Sequence, residues 1–570
     1  MSTFFFNFLL HCDDGWLSPE RETLDNAASF VPAGFPVSDT ELPPSPSPEK
    51  PAKPKSLLRS SLLTGSMTMV SRVLGLIRDI VLASVLGAGG AMDAFAIAQK
   101  IPNFFRRLFA EGAFSQAFIP VLSEYREKGT HAAVRELVDK VAGCLGSILL
   151  LVTVVGVLGA VGFAYIFGYG YADEPEKFSL LTDLIRITFP YLMLISLTGF
   201  AGAILNSYDR FAIPAVTPVF LNVFMIAAAL LVADFFPNPA YALAWSIVAA
   251  GIFSLLFQLP FLRQIHLLPS PKLDWSHPGV KRILVLMTPA LFGVSVSQLN
   301  LLLDSIIATM LGDGAVSWLF YSDRLVELPL GVFGVAIATV IMPGLSRLSA
   351  AQSGEKFSHM LDWAIRFVVL IALPATLALI ILAEPILYTL FYHGEMTSND
   401  ILMSSYSLKA YALGLFAFML IKVLVPGYFA RQDMKSPVRI GIIAIIANIL
   451  MKPLVVIPLV MLWELGHVGL AFTTAMAAYV NAYLLYRGLR KSEVYNPASN
   501  WPRLWLRYGA ANLALVAVLL GFLAFWNLWP YWGVMERILR LAIVCITGLA
   551  AYLIALVAVG VRLRDFKAQH

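Results

Sequence analysis

The residues able to do chemistry are concentrated in one stretch, SRVLGLIRDIVLASVLGAGGAMDAFAIAQKIPNFFRRLFAEGAFSQ, running from Ser71 to Gln116. Arg72, Arg78 and Asp79 lie on a first apolar segment, and Asp93, Lys100, Arg106, Arg107 and Glu111 on a second, with a break at Gly87 to Gly90. Guanidinium and ammonium groups interleaved with carboxylates either neutralise one another or bind an anion, and the guanidinium fork suits paired phosphate oxygens. At about 100° per residue, Asp93, Lys100, Arg107 and Glu111 stack within roughly 20° of one another on a helix. That stripe would be roughly 27 Å long, close to the thickness of a bilayer's hydrocarbon core. Arg72 and Asp79 share a face of the first helix, with Arg78 about 100° away. An ionised group facing lipid near mid-bilayer costs about 2.5–3.5 kcal/mol, so these eight groups must line something wet or pair among themselves. Pairing is the plainer reading, and Arg107 with Glu111 is spaced for it. Five cations against three carboxylates nevertheless leave a positive surplus, which points to an anionic cargo.

The elements that would hold these groups are membrane helices. Of the 570 residues, 58% are hydrophobic and 14% charged, the composition of a polytopic membrane protein. The net charge is +5, but residues 1–55 carry eight acids and four Lys or Arg, so the remainder carries +9. Cys12, Cys144 and Cys545 imply neither disulfides nor a metal cluster, and the latter two are read as small packing residues. No HExxH, no phosphate loop and no GxSxG elbow occurs, so no soluble catalytic module is visible and the chain is not read as an enzyme.

Residues 1–56 form a leader ending in ELPPSPSPEKPAKPK, whose composition predicts disorder and a cytoplasmic location. From Leu57 onward the apolar runs predict an all-α fold of about fourteen spanning helices. Lys and Arg cluster in every second loop, including Arg126 with Lys128, Arg263 with Lys272, and Arg431 with Lys435 and Arg439. By the positive-inside rule both termini are cytoplasmic. SRVLGLIRDIVLASVLGAG at 71–89 resembles SQLNLLLDSIIATMLGDG at 297–314, which sets Asp79 on Asp304 and Gly87 on Gly312. Gln99 and Lys100 then fall on Asp323 and Arg324, and Pro214 on Pro437, at a shared offset of about 223–226. Six helices per copy makes the copies parallel. The expected organisation is an N-lobe (57–279) and a C-lobe (280–495) around a central cavity, followed by two additional helices and a cytoplasmic tail (496–570). That is an alternating-access carrier. The second copy contributes Arg324 to the cavity, with Asp304, Asp323, Glu327 and Lys422 as candidate coupling or gating groups.

The motifs SRVLGLIRD, KIPNFFRRLFAEGAFSQAFIPVLSEY, YSDRLVELPLGVFGVAIATVIMPGLS and KVLVPGYFARQDMKSPV resemble those of the MurJ/MviN lipid II flippase family. This family lies within the multidrug/oligosaccharidyl-lipid/polysaccharide exporter superfamily, and the resemblance covers about residues 57–566. It implies export of undecaprenyl-diphosphate disaccharide-pentapeptide across the bacterial inner membrane, in peptidoglycan biosynthesis and the maintenance of cell shape. It further implies that the cavity cations are Arg72, Arg78, Arg107 and Arg324, that the acids are Asp79, Asp93 and Glu111, and that Ser71 lies beside them. Lys100 and Arg106 complete the candidate transport set. The implied partners are lipid II and membrane lipids, with the peptidoglycan-synthesis or division machinery as a candidate and a monomer as the working unit; nucleic acid is not among them. No cofactor or metal is expected. The coupling could be to Na⁺, to protons or to the membrane potential, which supplies about 2.3 kcal/mol per charge per 100 mV. The competing functions are a flippase for another polyprenyl-diphosphate oligosaccharide, a cation-coupled drug exporter, a membrane-embedded glycosyltransferase or phosphatase, and a non-transporting scaffold. An Arg-rich cavity disfavours cationic drugs, and the short loops disfavour an enzyme.

Overall fold

The computed structural model describes residues 54–107 and 114–561, so residues 1–53 of the leader and Glu111 lie outside the described residues. Leu57–His570 form a unit of their own. Among the described residues there are helices and no strands. In order, the first copy of the repeat contains α1 (Pro54–Leu86), α2 (Gly90–Arg106), α3 (Ser115–Lys128), α4 (His131–Leu158), α5 (Ala160–Phe167), α6 (Pro175–Thr188), α7 (Tyr191–Ser207), α8 (Ala212–Leu231) and α9 (Pro239–Gln264). The second contains α10 (Pro278–Thr309), α11 (Ala315–Pro329), α12 (Val335–Ala350), α13 (Gly354–Ile381), α14 (Ala383–Leu390), α15 (Ser398–Phe429), α16 (Lys435–Trp463) and α17 (Gly466–Lys491). Two further helices, α18 (Trp501–Phe525) and α19 (Val534–Ala558), close the chain.

Among the described residues, eleven helical segments are long and apolar enough to cross a membrane. The chain is therefore a multi-pass membrane protein. The expected count of fourteen is not reached on length and apolarity alone. Helices α1 and α10, of 33 and 32 residues, are long enough to span. In the segment carrying the proposed stripe the α-helix ends at Arg106, and π-type turns stand at Arg107 and Phe114. The last step of the stripe expected from Asp93 to Glu111 lies outside the described residues. Pro102 and Pro120 stand before and after these turns, and a proline inside a helix removes a hydrogen bond and crowds the preceding turn.

The same distortion recurs in the second copy, where a π-helical turn at Leu330–Gly334 separates α11 from α12, again between two prolines, Pro329 and Pro343. The short helices α5 and α14 begin 223 residues apart. Asn222 and Asn448, 226 residues apart, make equivalent ties: the Asn222 side-chain amide donates to the Ser71 carbonyl, and that of Asn448 to Asn300 Oδ1, each at 3.0 Å.

Among the described residues, two large cores and a small one of Ala417, Ala478 and Ala482 hold this arrangement. Phe118, Leu122, Leu137, Val138, Ile204 and Leu267 belong to a cluster centred on the first copy, at the end of its helices where the basic loops lie. A larger cluster joins Leu82, Met92 and Phe95 of the first copy to Val316, Tyr321 and Phe391 of the second, at the opposite end. The two copies share apolar packing where α1 ends and α2 begins. Cys144 is buried as expected, whereas Cys545 is exposed on α19 rather than packed. Its helix turns that face away from α18, with Leu549 and Leu553 also exposed along it.

Candidate functional site

At the turn between α1 and α2 the two copies meet face to face. Asp93 is completely buried, and its carboxylate accepts from the backbone N–H of Gly314 (2.8 Å) and of Ser317 (2.9 Å) and from the Ser317 hydroxyl (2.5 Å). It thereby caps the N-terminus of α11 from the other copy, where unsatisfied N–H groups and the helix dipole both favour a negative charge. Lys177 of α6 lies 3.8 Å from Asp93, pairs with Asp313, and stands over the Tyr171 ring. The Tyr321 hydroxyl donates to the Gly87 carbonyl at 2.8 Å, and Glu395 N–H to that of Ser84 at 3.0 Å. Gly87 and Gly314 are glycine for cause. Both have positive φ, +65° and +86°, and a Cβ would lie 2.8 Å from the carbonyl oxygens of Glu395 and Ala88 respectively. The interface between the two turns is closely fitted. Asp93, expected in a wet cavity, is instead a sealed structural contact in this state.

About one and two helical turns further along α2, towards the basic-loop end, the polar groups change character. Arg78 is buried, with Nε and Nη2 on Asp79 Oδ1 (2.9 and 2.7 Å) and Nη1 on Asn222 Oδ1 (3.0 Å). Asp79 Oδ2 is 3.4 Å from Nε of Arg324, which comes from the second copy and also donates to Glu327 at 3.0 Å. The Arg324 guanidinium stacks over Phe320. Lys100 Nζ donates to the Ser305 hydroxyl at 3.0 Å and lies within electrostatic reach of Asp323 and Asp304. Asp323 is exposed, and Lys100, Arg107, Arg324 and Glu327 surround it. Arg72 makes no hydrogen bond or ion pair among the described residues, and its guanidinium lies so close to Gly331 that a Cβ there would collide with Nη1. Arg106 is turned onto Asn103 (3.2 Å), Arg107 is exposed, and Lys422 is exposed with its stem beside Gly334. Asp304 is paired with Lys452 of α16 at 2.5 Å, and Thr474 donates to it at 3.4 Å.

The structure therefore brings Arg72, Arg78, Asp79, Lys100, Arg107, Asp323, Arg324 and Glu327 together between the copies, with Ser71 behind them. Asp93 is set apart in the seal. Asp304 is held by a lysine that the sequence reading passed over. Lys452 lies in ANILMKPLVVIP, a lone cation in an apolar run, and the cost of such a group is the signal that should have marked it. Asn222, Asn300, Asn448 and Lys177 were also missed, the amides because a single Asn in a span carries little signal. Among the described residues at the site, Arg72, Arg78, Lys100, Arg107, Arg324, Lys422 and Lys452 are seven cations against the four carboxylates Asp79, Asp304, Asp323 and Glu327. Among the described residues no group of three His, Cys, Asp or Glu could hold a metal ion.

A family model described as lipid II flippase MurJ matches residues 82–543, most of the chain, including Lys100, Arg107, Asp323, Arg324 and Glu327 of this site. The chain belongs to the lipid II flippase MurJ family. The probable lipid II flippase MurJ of Vibrio cholerae is 47% identical over 521 residues, covering 90% of this chain and 98% of that one. The lipid II flippase MurJ of Burkholderia cenocepacia is 41% identical over 81% of this chain and 90% of its own. A solved structure of lipid II flippase MurJ in an inward closed conformation superimposes with TM-score 0.70 at 26% identity, over 87% of this chain and 98% of that one. An inward-facing multidrug resistance MATE family transporter of the MOP superfamily matches with TM-score 0.61 at 15% identity, over 76% of this chain and 98% of that one, a likeness of fold alone.

Proposed function

We propose that this protein flips lipid II from the cytoplasmic to the periplasmic leaflet of the bacterial inner membrane by alternating access. The observation that carries the reading is the cationic surplus between the two repeat copies beneath the Asp93 seal, with Arg72 making no ion pair among the described residues and Arg324 shared between Asp79 at 3.4 Å and Glu327 at 3.0 Å. A diphosphate offers paired oxygens that a planar guanidinium fork binds bidentately. The sugar and peptide need a polar path between the copies, whereas a polyprenyl chain remains in lipid beside α18 and α19. In this reading residues 57–279 and 280–495 are two lobes that rock against each other, and the loop charges put both termini in the cytoplasm. The seal at Gly87 and Gly314 is then periplasmic. Net positive charge that accompanies the cargo would feel the membrane potential.

The test is reconstitution in liposomes with labelled lipid II in the membrane and a lipid II-degrading enzyme on one side. Wild-type protein should expose the labelled pool, and Arg72→Ala and Arg324→Ala should each abolish exposure while protein levels in the membrane hold. Unchanged exposure in both variants overturns the diphosphate reading, and exposure of an undecaprenyl-diphosphate glycan in preference to lipid II assigns a different cargo.

A further inference from the structure

Two carboxylates at repeat-equivalent positions, Asp79 and Asp304, stand in the same charged environment. Each has a cation from its own copy: Arg78 at 2.7 Å for Asp79, and Lys452 at 2.5 Å for Asp304. Each of those cations also touches a side-chain amide oxygen, Asn222 Oδ1 at 3.0 Å for Arg78 and Asn300 Oδ1 at 3.4 Å for Lys452. Each carboxylate also faces a cation from the opposite copy. For Asp79 it is Arg324, at 3.4 Å; for Asp304 it is Lys100, which reaches across to the adjacent Ser305 at 3.0 Å. Lys100 and Arg324 are themselves aligned by the repeat. The same three-part device has thus been built twice, although Lys452 and Arg78 occupy unrelated positions in their copies.

We infer that Lys452, with Asp304 and Lys100, forms a second interlobe charge lock matching that of Arg78, Asp79 and Arg324, and that Lys452 is the counter-ion that lets Lys100 leave. A buried carboxylate whose only cation departs is left uncompensated, a large penalty. With Lys452 in place, Asp304 stays neutralised when Lys100 lets go, so the copies can part at this point and Lys100 becomes available to an anionic cargo. Lys452 is a positioning residue: it is 3% exposed, and its partners are Asp304 and Asn300. The inference rests on the flippase reading for the word cargo, but the lock itself is a contact between lobes and can be measured without lipid II.

The experiment uses the full chain with cysteines replacing Ala88 and Asp313, on the two turns that meet at the seal, and reads disulfide formation in membranes alongside lipid II flipping. Lys452→Met should make Lys100 the sole counter-ion of Asp304, raise crosslinking, and slow flipping by about tenfold, a shift of the two-state equilibrium towards the sealed form. Lys452→Met with Asp304→Asn should return crosslinking to the starting level and restore most of the flipping. Lys100→Gln should lower crosslinking. Unchanged crosslinking in Lys452→Met overturns the inference even if flipping is lost, because a packing role alone would not move the equilibrium. If Lys452→Met fails to accumulate, unchanged crosslinking in Lys100→Gln overturns it. A crosslinking response as expected with no lipid II flipping by the unmutated protein would instead strike at the flippase reading and leave the lock standing.

Discussion

The two ends of α2 present the same face to the second repeat copy and do opposite things there. At its start, Asp93 is fully buried and every acceptor site in use is matched by a donor of α11 or approached by Lys177. Seven residues on, Lys100 holds a single hydroxyl, Arg324 reaches Asp79 only at 3.4 Å, and Asp323 is exposed among four charged neighbours. A satisfied, desolvated charge rigidifies a contact, while a half-satisfied one in a wet space can exchange partners at little cost. One helix face thus carries both a fully satisfied, buried carboxylate and an ammonium with a single hydroxyl partner.

The contrast can be broken most severely at the buried carboxylate. Asp93→Ala leaves the α11 N-terminus without its acceptor and Lys177 with Asp313 alone, and removal of one partner from a buried pair costs about 3–5 kcal/mol. The sealed state should be lost or strongly depopulated, read as a collapse of crosslinking between cysteines at positions 88 and 313 and a large fall in thermal stability. Next in size is Gly87→Ala. Its positive φ costs an L-residue about 1–2 kcal/mol, and the new Cβ meets the Glu395 carbonyl at 2.8 Å. Crosslinking should fall, yet flipping should fall less than in Asp93→Ala.

The wet end is sharpened by Arg324→Lys, which keeps the charge and loses the planar fork. Flipping should drop about tenfold with normal membrane levels and unchanged crosslinking at the seal. A wild-type rate in that variant would make Arg324 a point charge and nothing more. The smallest effect belongs to the loop before α10, far from both. There Asp274 accepts from Ser276 and pairs with Lys140 at 2.9 Å, and these contacts, Ser276 first, hold its carboxyl well below the usual carboxylate range. A carboxyl lowered on folding contributes stability that is complete above its unfolded value near about 3.9 and is lost only as pH falls towards the folded one. The difference in Tm between Asp274→Asn and wild type should therefore be small and constant from pH 5 to 8, shrinking only in stronger acid.

Much of this protein was legible before any tertiary contact. Apolar runs set membrane helices because backbone polar groups in lipid have no other partner. The glycine breaks at 87–90 and 312–314, the alignment of Asp79 with Asp304 and of Lys100 with Arg324, and the cationic surplus were all visible in residue types and spacing. The family follows from motifs such as RRLFAEGAFSQAF. What periodicity does not contain is the partner across the interface. Asp93 and Lys100 share a face by any helical wheel, but only the approach of α11 makes the first a buried cap and leaves the second beside a wet space. Arg78 and Arg72 read alike in sequence, and only the position of α8 gives Arg78 an Asn222 while Arg72 faces Gly331. Lys452 looked like one charge in an apolar run until α10 brought Asp304 to it. The sequence by itself determined which charges enter the membrane, because their insertion cost is a property of the residue; the tertiary structure decided which of them are satisfied there, because satisfaction belongs to pairs of residues that folding alone brings within about 3 Å.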